Sequence, residues 1–124
     1  MRKLNKWTKK TALQMPVLEA QLSRIGKGKI FGTFDILSGF DFLRTHEESQ
    51  KYFTLVTNEG SYTMIGAPMG WTNTPQLFQS RILEEILKPA GIYSKEDNGC
   101  LQWVDDTLLY ADSFTSYINV LEKF

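Results

Sequence analysis

Three acids could do chemistry in this chain: Asp35 in TFDILSGF, and the adjacent pair Asp105 and Asp106 in CLQWVDDTLLYAD. The pair interrupts an apolar run, between Trp103-Val104 and Leu108-Leu109. Neighbouring carboxylates repel, and burying either is costly without compensating positive charge. Asp35 stands where an apolar strand ends. If that strand end lies beside the turn carrying the pair, three carboxylates converge and divalent cations would neutralise them. Hard carboxylate oxygens favour Mg²⁺, with Mn²⁺ as a substitute. Two such ions, about 3.5–4 Å apart, can clamp an in-line phosphoryl transfer, one activating the attacking hydroxyl and both stabilising the developing charge. For the pair by itself an ordinary exposed acidic turn is the plain alternative. The acids alone do not choose among nucleases, polymerases and simple cation sites.

The elements that must position these acids are legible in outline. KIFGTFDI alternates large and small or polar residues and reads as a strand ending at Asp35, where LSGF turns away. LQWVDDTLLYA has strand-like flanks and no room for a long loop, so it reads as a tight hairpin centred near Val104-Asp105. KYFTLVT and SYTMIG are two more strands, joined at Asn58-Glu59-Gly60. APMGWTNT is a loop with two permissive points, Gly66 and Gly70. PQLFQSRILEEILK is the strongest helix: Thr74 caps it, Pro75 opens it, Phe78, Ile82 and Ile86 share a face, and Pro89 ends it. PVLEAQLSRIG is a shorter helix with Leu18, Leu22 and Ile25 on one face and Gly26 as its stop. Residues 1–15 read as irregular, GIYSKEDNG as a turn-rich connector, and a last helix starts near Ser113 and runs to the chain end. SRIGKGKI is not a phosphate-binding loop of the Walker kind, because Ser23 and Ile30 occupy positions that require Gly and Ser or Thr.

Composition narrows the class. The chain has 124 residues, 42% of them hydrophobic and 13% aromatic, which suits one folded domain or part of a larger one. No apolar run approaches the roughly 20 residues of a membrane helix, and no apolar signal region follows the basic start. An intracellular location, cytoplasmic or nuclear, is therefore expected, with no membrane partner. Cys100 is the single cysteine. It reads as a buried thiol, and His46 as a surface residue. The net charge of zero hides an asymmetry: residues 1–30 carry eight Lys/Arg and one acid, and the rest carries six Lys/Arg and 13 acids. A basic end suits a polyanion and an acidic end suits cations, although a solvated surface explains both equally well.

The order of three motifs goes further. FGTFDILSGF, then APMGWTNTPQLFQ, then WVDDTLLYA resembles the reverse transcriptases of retroviruses and LTR retrotransposons, most closely the gypsy type. RKLNKWT is similar to that family's fingers-to-palm segment, and LSRIGKGKIF to its lead into the first motif. The likeness covers roughly residues 2–112.

This resemblance implies an α/β (α+β) fold, a polymerase palm-like antiparallel sheet with helices packed on one face and part of the fingers. Residues 1–29 would be the basic fingers-to-palm segment and residues 30–124 the palm core, truncated before the thumb. Asp35 and Asp105 would be the principal metal ligands, with Asp106 the third carboxylate and the Ile36 carbonyl assisting. Backbone N–H groups around Ser38 and Gly39 would meet the triphosphate. Phe40 would lie under the sugar and leave no space for a 2′-hydroxyl, selecting deoxynucleotides. Met69 and Gly70 match the loop that touches the nucleotide; many retroviral enzymes carry Gln at the position of Met69. Trp103, in place of the commoner Tyr, and Val104 would lie near the primer end, and Arg2 near the template. The implied activity is two-metal, RNA-directed DNA synthesis on a primed RNA or DNA template, from deoxynucleoside triphosphates. The implied setting is a polyprotein with thumb, ribonuclease H and integrase, in a virus-like particle or the nucleus. The family's fingertip Lys and Arg, its later Lys and the thumb would lie outside residues 1–124, so weak or absent activity is expected from this chain alone. The alternatives are a non-catalytic relic or nucleic-acid-binding fragment, and a two-metal nuclease. The nuclease would have no need of the aromatic at Phe40.

Overall fold

The computed structural model describes residues 1–12, 15–93, 95 and 97–124. In chain order the elements are α1 (Arg2–Trp7), α2 (Leu18–Leu22), β1 (Ile30–Asp35), α3 (Glu47–Gln50), β2 (Thr54–Thr57), β3 (Gly60–Thr63), α4 (Thr74–Arg81), β4 (Gly99–Trp103), β5 (Asp106–Ala111) and α5 (Phe114–Leu121). β1, β5 and β4 form an antiparallel sheet in that order, with β5 in the centre. The expected alternation of β1 is present: its residues run half-buried, exposed, half-buried to Asp35. One face of the sheet makes the core, where Cys100 and Leu109 pack against Leu87, Ile92 and Val120, with Phe34, Ile82 and Tyr117 closing the edges. α4 and α5 therefore lie behind the sheet, as expected. α2 lies over the other face, where Leu18 and Leu22 border a cleft against Leu101 and Leu108.

The hairpin of β2 and β3 forms at the expected turn, with Thr57 paired to Gly60. It is a separate two-stranded sheet, exposed along both strands, including Leu55, Val56 and Tyr62. Ser113 caps α5 as expected, its hydroxyl accepting from the Ser116 N–H. Gly26, with φ +60°, ends the short helical run Leu18–Ile25. Cys100 is fully buried, and burial pushes its thiol up to about 12. His46 is exposed. Among the described residues no helix is long and apolar enough to cross a membrane.

Four expectations are corrected. The irregular lead is in part a helix, α1, held by polar contacts that leave no hydrophobic periodicity to read. Leu18 and Leu22 are exposed, and Gln21 is the buried residue of α2. Thr74 does not cap α4: its hydroxyl donates to the Pro68 carbonyl, and Asn73 takes the N-cap position without a side-chain capping bond. Past Arg81 the helix widens into π-type turns over Ile82–Leu87, closed by Lys88 N–H to Leu83 carbonyl at 3.0 Å. The extra residue per turn rotates Ile86 outward, 50% exposed, and puts Leu87 in the core. Of the lead and the connector, Leu13, Gln14, Ser94 and Glu96 lie outside the described residues.

Candidate functional site

Antiparallel register brings the acids together. Asp35 ends β1 directly opposite Asp106, which begins β5. One residue further out, the Ile36 N–H donates to the Asp105 carbonyl at 2.9 Å. Asp105 thus sits in the two-residue loop between Trp103 and Asp106, level with the point where the chain leaves β1. All three acids are exposed, and none has an ion-pair partner among the described residues.

Asp35 and Asp105 line one open cavity of about 270 Å³, together with Ser38, Gly39, Phe40 and Met69. Asp41 and Ile36 also border it; Asp41 carries a carboxylate that the motif reading did not single out. Asp106 instead borders the cleft under α2, beside Trp103. The structure therefore gathers two of the three expected carboxylates with four of the five residues expected on the nucleotide side; Gly70 does not line the cavity. It does not bring in Arg2, which is exposed on α1, nor Trp103 and Val104, which form the base and first loop residue of the hairpin.

Local geometry explains the cavity wall. Ser38 has φ +52° and starts a tight turn in which Asp41 N–H donates to the Ser38 carbonyl. The Gly39 N–H is engaged in that turn, donating to the Ile36 carbonyl at 3.3 Å. Gly39 is buried against Phe78, whose ring stands edge-on to Phe40 at 5.4 Å. That contact holds the Phe40 ring at the cavity. Met69 is 79% exposed, and Gly70 takes φ +82°, a conformation that favours glycine. The loop is knitted to α1: Asn5 Nδ2 donates to the Gly70 carbonyl at 2.8 Å, and Thr72 N–H donates to Asn5 Oδ1 at 3.1 Å. Trp71 packs on Phe53 and donates to Thr8, as a packing residue should.

The donor set suits a hard divalent cation. Three acidic residues, Asp35, Asp41 and Asp105, line one solvent-open cavity, and the Ile36 carbonyl retains a second lone pair for a ligand bond. Among the described residues no three His, Cys, Asp or Glu side chains are gathered into a ready cation cage.

Sequence reasoning missed Asn5, Gln79 and Gln102. The two glutamines are buried, Gln79 on α4 and Gln102 on β4, and both bond to the acidic hairpin. Their signal was available, as polar residues at core positions of LFQS and LQWVDD.

The family model described as reverse transcriptase (RNA-dependent DNA polymerase) matches residues 1–124. The chain belongs to the reverse transcriptase family. The retrovirus-related Pol polyprotein from transposon 297 of Drosophila melanogaster is 31% identical over 98% of this chain, which covers 11% of that protein. The corresponding polyprotein from transposon gypsy is 28% identical over 98% of the chain, again covering 11% of its length. The chain thus spans about a tenth of these relatives. A foamy viral protease-reverse transcriptase, solved in complex with an RNA/DNA hybrid, superposes with a TM-score of 0.83 at 23% identity, over 98% of this chain and 16% of that one. That likeness bears out the expected fold class, and the transposon polyproteins bear out the gypsy-type resemblance.

Proposed function

We propose that residues 30–124 form the palm of a reverse transcriptase, with residues 1–29 the basic fingers-to-palm segment, and that the cavity at Asp35 and Asp105 is its nucleotidyl-transfer site. The observation that carries this reading is the shared cavity: Asp35 from the end of β1 and Asp105 from the β4–β5 loop line it together with the aromatic Phe40. Asp35 and Asp105 would hold two Mg²⁺ ions, with the Ile36 carbonyl and Asp106 supporting them. When bound, the ions activate a primer hydroxyl and balance charge developing at phosphorus. The chain's own residues orient the substrate. Phe40 would crowd a 2′-hydroxyl, so deoxynucleotides would be favoured. Met69 and Gly70 border the nucleotide, and Ser38 and Gly39 approach its phosphates with backbone groups. Trp103 and Val104 approach the primer end, and Arg2 contributes to the positive surface met by the template. A primed RNA or DNA template and deoxynucleoside triphosphates are the partners, within a longer polyprotein. Few phosphate contacts are expected from residues 1–124, so template binding would be weak and addition by this chain alone slow.

Single-nucleotide extension of a primed RNA template tests this. The wild-type chain should add a deoxynucleotide slowly, Asp105→Asn should not, and Phe40→Ala should narrow the preference over a ribonucleotide. Strand cleavage in place of extension, or equal rates in Asp105→Asn, would overturn the reading. Cleavage that Phe40→Ala leaves unchanged would favour a two-metal nuclease.

A further inference from the structure

We infer that Gln79 and Gln102 are positioning residues, which together hold Val104 in a left-handed conformation and so set where Asp105 stands relative to Asp35. Val104 has φ +56°. For a β-branched residue this is an unfavourable backbone conformation, and two-residue hairpin loops with positive φ normally use glycine or asparagine. A valine there must be held from outside.

The holding groups are specific. Val104 N–H donates to Gln79 Oε1 at 2.5 Å, and Gln102 Nε2 donates to the Val104 carbonyl at 2.6 Å. Gln79 Nε2 donates to the Gln102 carbonyl at 2.9 Å, and the Thr107 hydroxyl donates to Gln102 Oε1. Both polar groups of the valine backbone and both ends of each amide are therefore engaged. Gln79, Gln102 and Thr107 are no more than 2% exposed, so water cannot replace a lost partner. The next residue is Asp105, whose carbonyl accepts from Ile36 N–H at the end of β1. Hydrogen bonds and the Val104–Asp105 peptide link thus connect α4 through the loop to Ile36, the residue after Asp35.

The geometric part of this inference stands without any ligand; its effect on cation binding rests on the function proposed above. Gln79→Met keeps the volume and removes both bonds. Two readouts separate the claims: amide exchange at Val104 by NMR, and Mn²⁺ affinity by titration. The expected result is Val104 exchange at least about tenfold faster, with α5 amides unchanged, and Mn²⁺ bound about tenfold more weakly by folded protein. Thr107→Val removes one bond only and should give a smaller change in the same direction; it serves if Gln79→Met does not fold. Unchanged Val104 protection in both variants would overturn the inference. So would faster exchange with unchanged Mn²⁺ affinity, because the loop would then be uncoupled from the acids. A wild-type chain that binds no Mn²⁺ would remove the metal reading alone, and faster Val104 exchange in the variants would still uphold the glutamines as its holders.

Discussion

Gly39→Ala should destabilise the fold, and the sign of the effect is decided by one ring. At a position without positive φ, Gly→Ala normally stabilises by about 0.4–1 kcal/mol, because the unfolded chain loses freedom. Gly39 has no positive φ, yet an added Cβ would overlap Phe78 Cζ, lie 2.9 Å from Cε2 and lie 3.2 Å from Cε1. Carbon atoms pack best at about 3.5–4.0 Å, so the ring must retreat by roughly an ångström. Phe78 is 2% exposed and stands edge-on to Phe40, at 81° between ring planes, so it retreats only by displacing that ring as well. Overpacking of this kind costs about 1–3 kcal/mol, which exceeds the entropic gain. Urea denaturation should show a lower midpoint with an unchanged slope. Gly39→Ala combined with Phe78→Leu should cost less than the sum of the two single changes, because the smaller side chain makes room for the methyl. A neutral or stabilising Gly39→Ala, or strict additivity in the pair, would refute the idea that Gly39 exists to seat the Phe78–Phe40 wedge.

Alkaline pH should weaken the fold in a defined window. Burial pushes the Cys100 thiol from its ordinary value near 9 up to about 12 and, as the largest cause, the Tyr110 hydroxyl from about 10 up to about 12. The unfolded chain therefore loses these protons first. Stability is fully present below pH 9 and declines towards pH 12, by at most about 1.4 kcal/mol per pH unit for each group. Denaturant midpoints from pH 7 to 11 check this, and Cys100→Ala should delay the onset to about pH 10, where Tyr110 begins; a flat profile would contradict it. Asn5→Ala removes both side-chain bonds between α1 and residues 70–72. It should cost about 1–3 kcal/mol and speed tryptic cleavage at Lys9 and Lys10, with unchanged cleavage as the contrary result.

The part of the site built on backbone pairing was legible in the sequence. Alternation located the strand ending at Asp35, and the short acidic interruption located the loop at Val104-Asp105; antiparallel pairing then had to set them side by side. The order of the motifs linked Phe40 and Met69 to the same place. What escaped was held by polar contacts or by irregular helix geometry. α1 and Thr8, the residue that ends it, turn Asn5 and the Thr8 hydroxyl towards the loop at 70–73, and hydrogen bonds leave no apolar period. The wide turns after Arg81 exchanged Ile86 for Leu87, a one-residue slip that no 3.6-residue pattern predicts. Gln79 and Gln102 are polar residues at core positions, and no apolar pattern shows that their buried side-chain bonds secure the hairpin.

The most direct test of the central claim is electron paramagnetic resonance of the chain titrated with Mn²⁺. The account predicts a spin-coupled pair of ions about 3.5–4 Å apart, lost in both Asp35→Asn and Asp105→Asn while the fold is retained. Uncoupled, weak Mn²⁺ binding that neither substitution changes would contradict it.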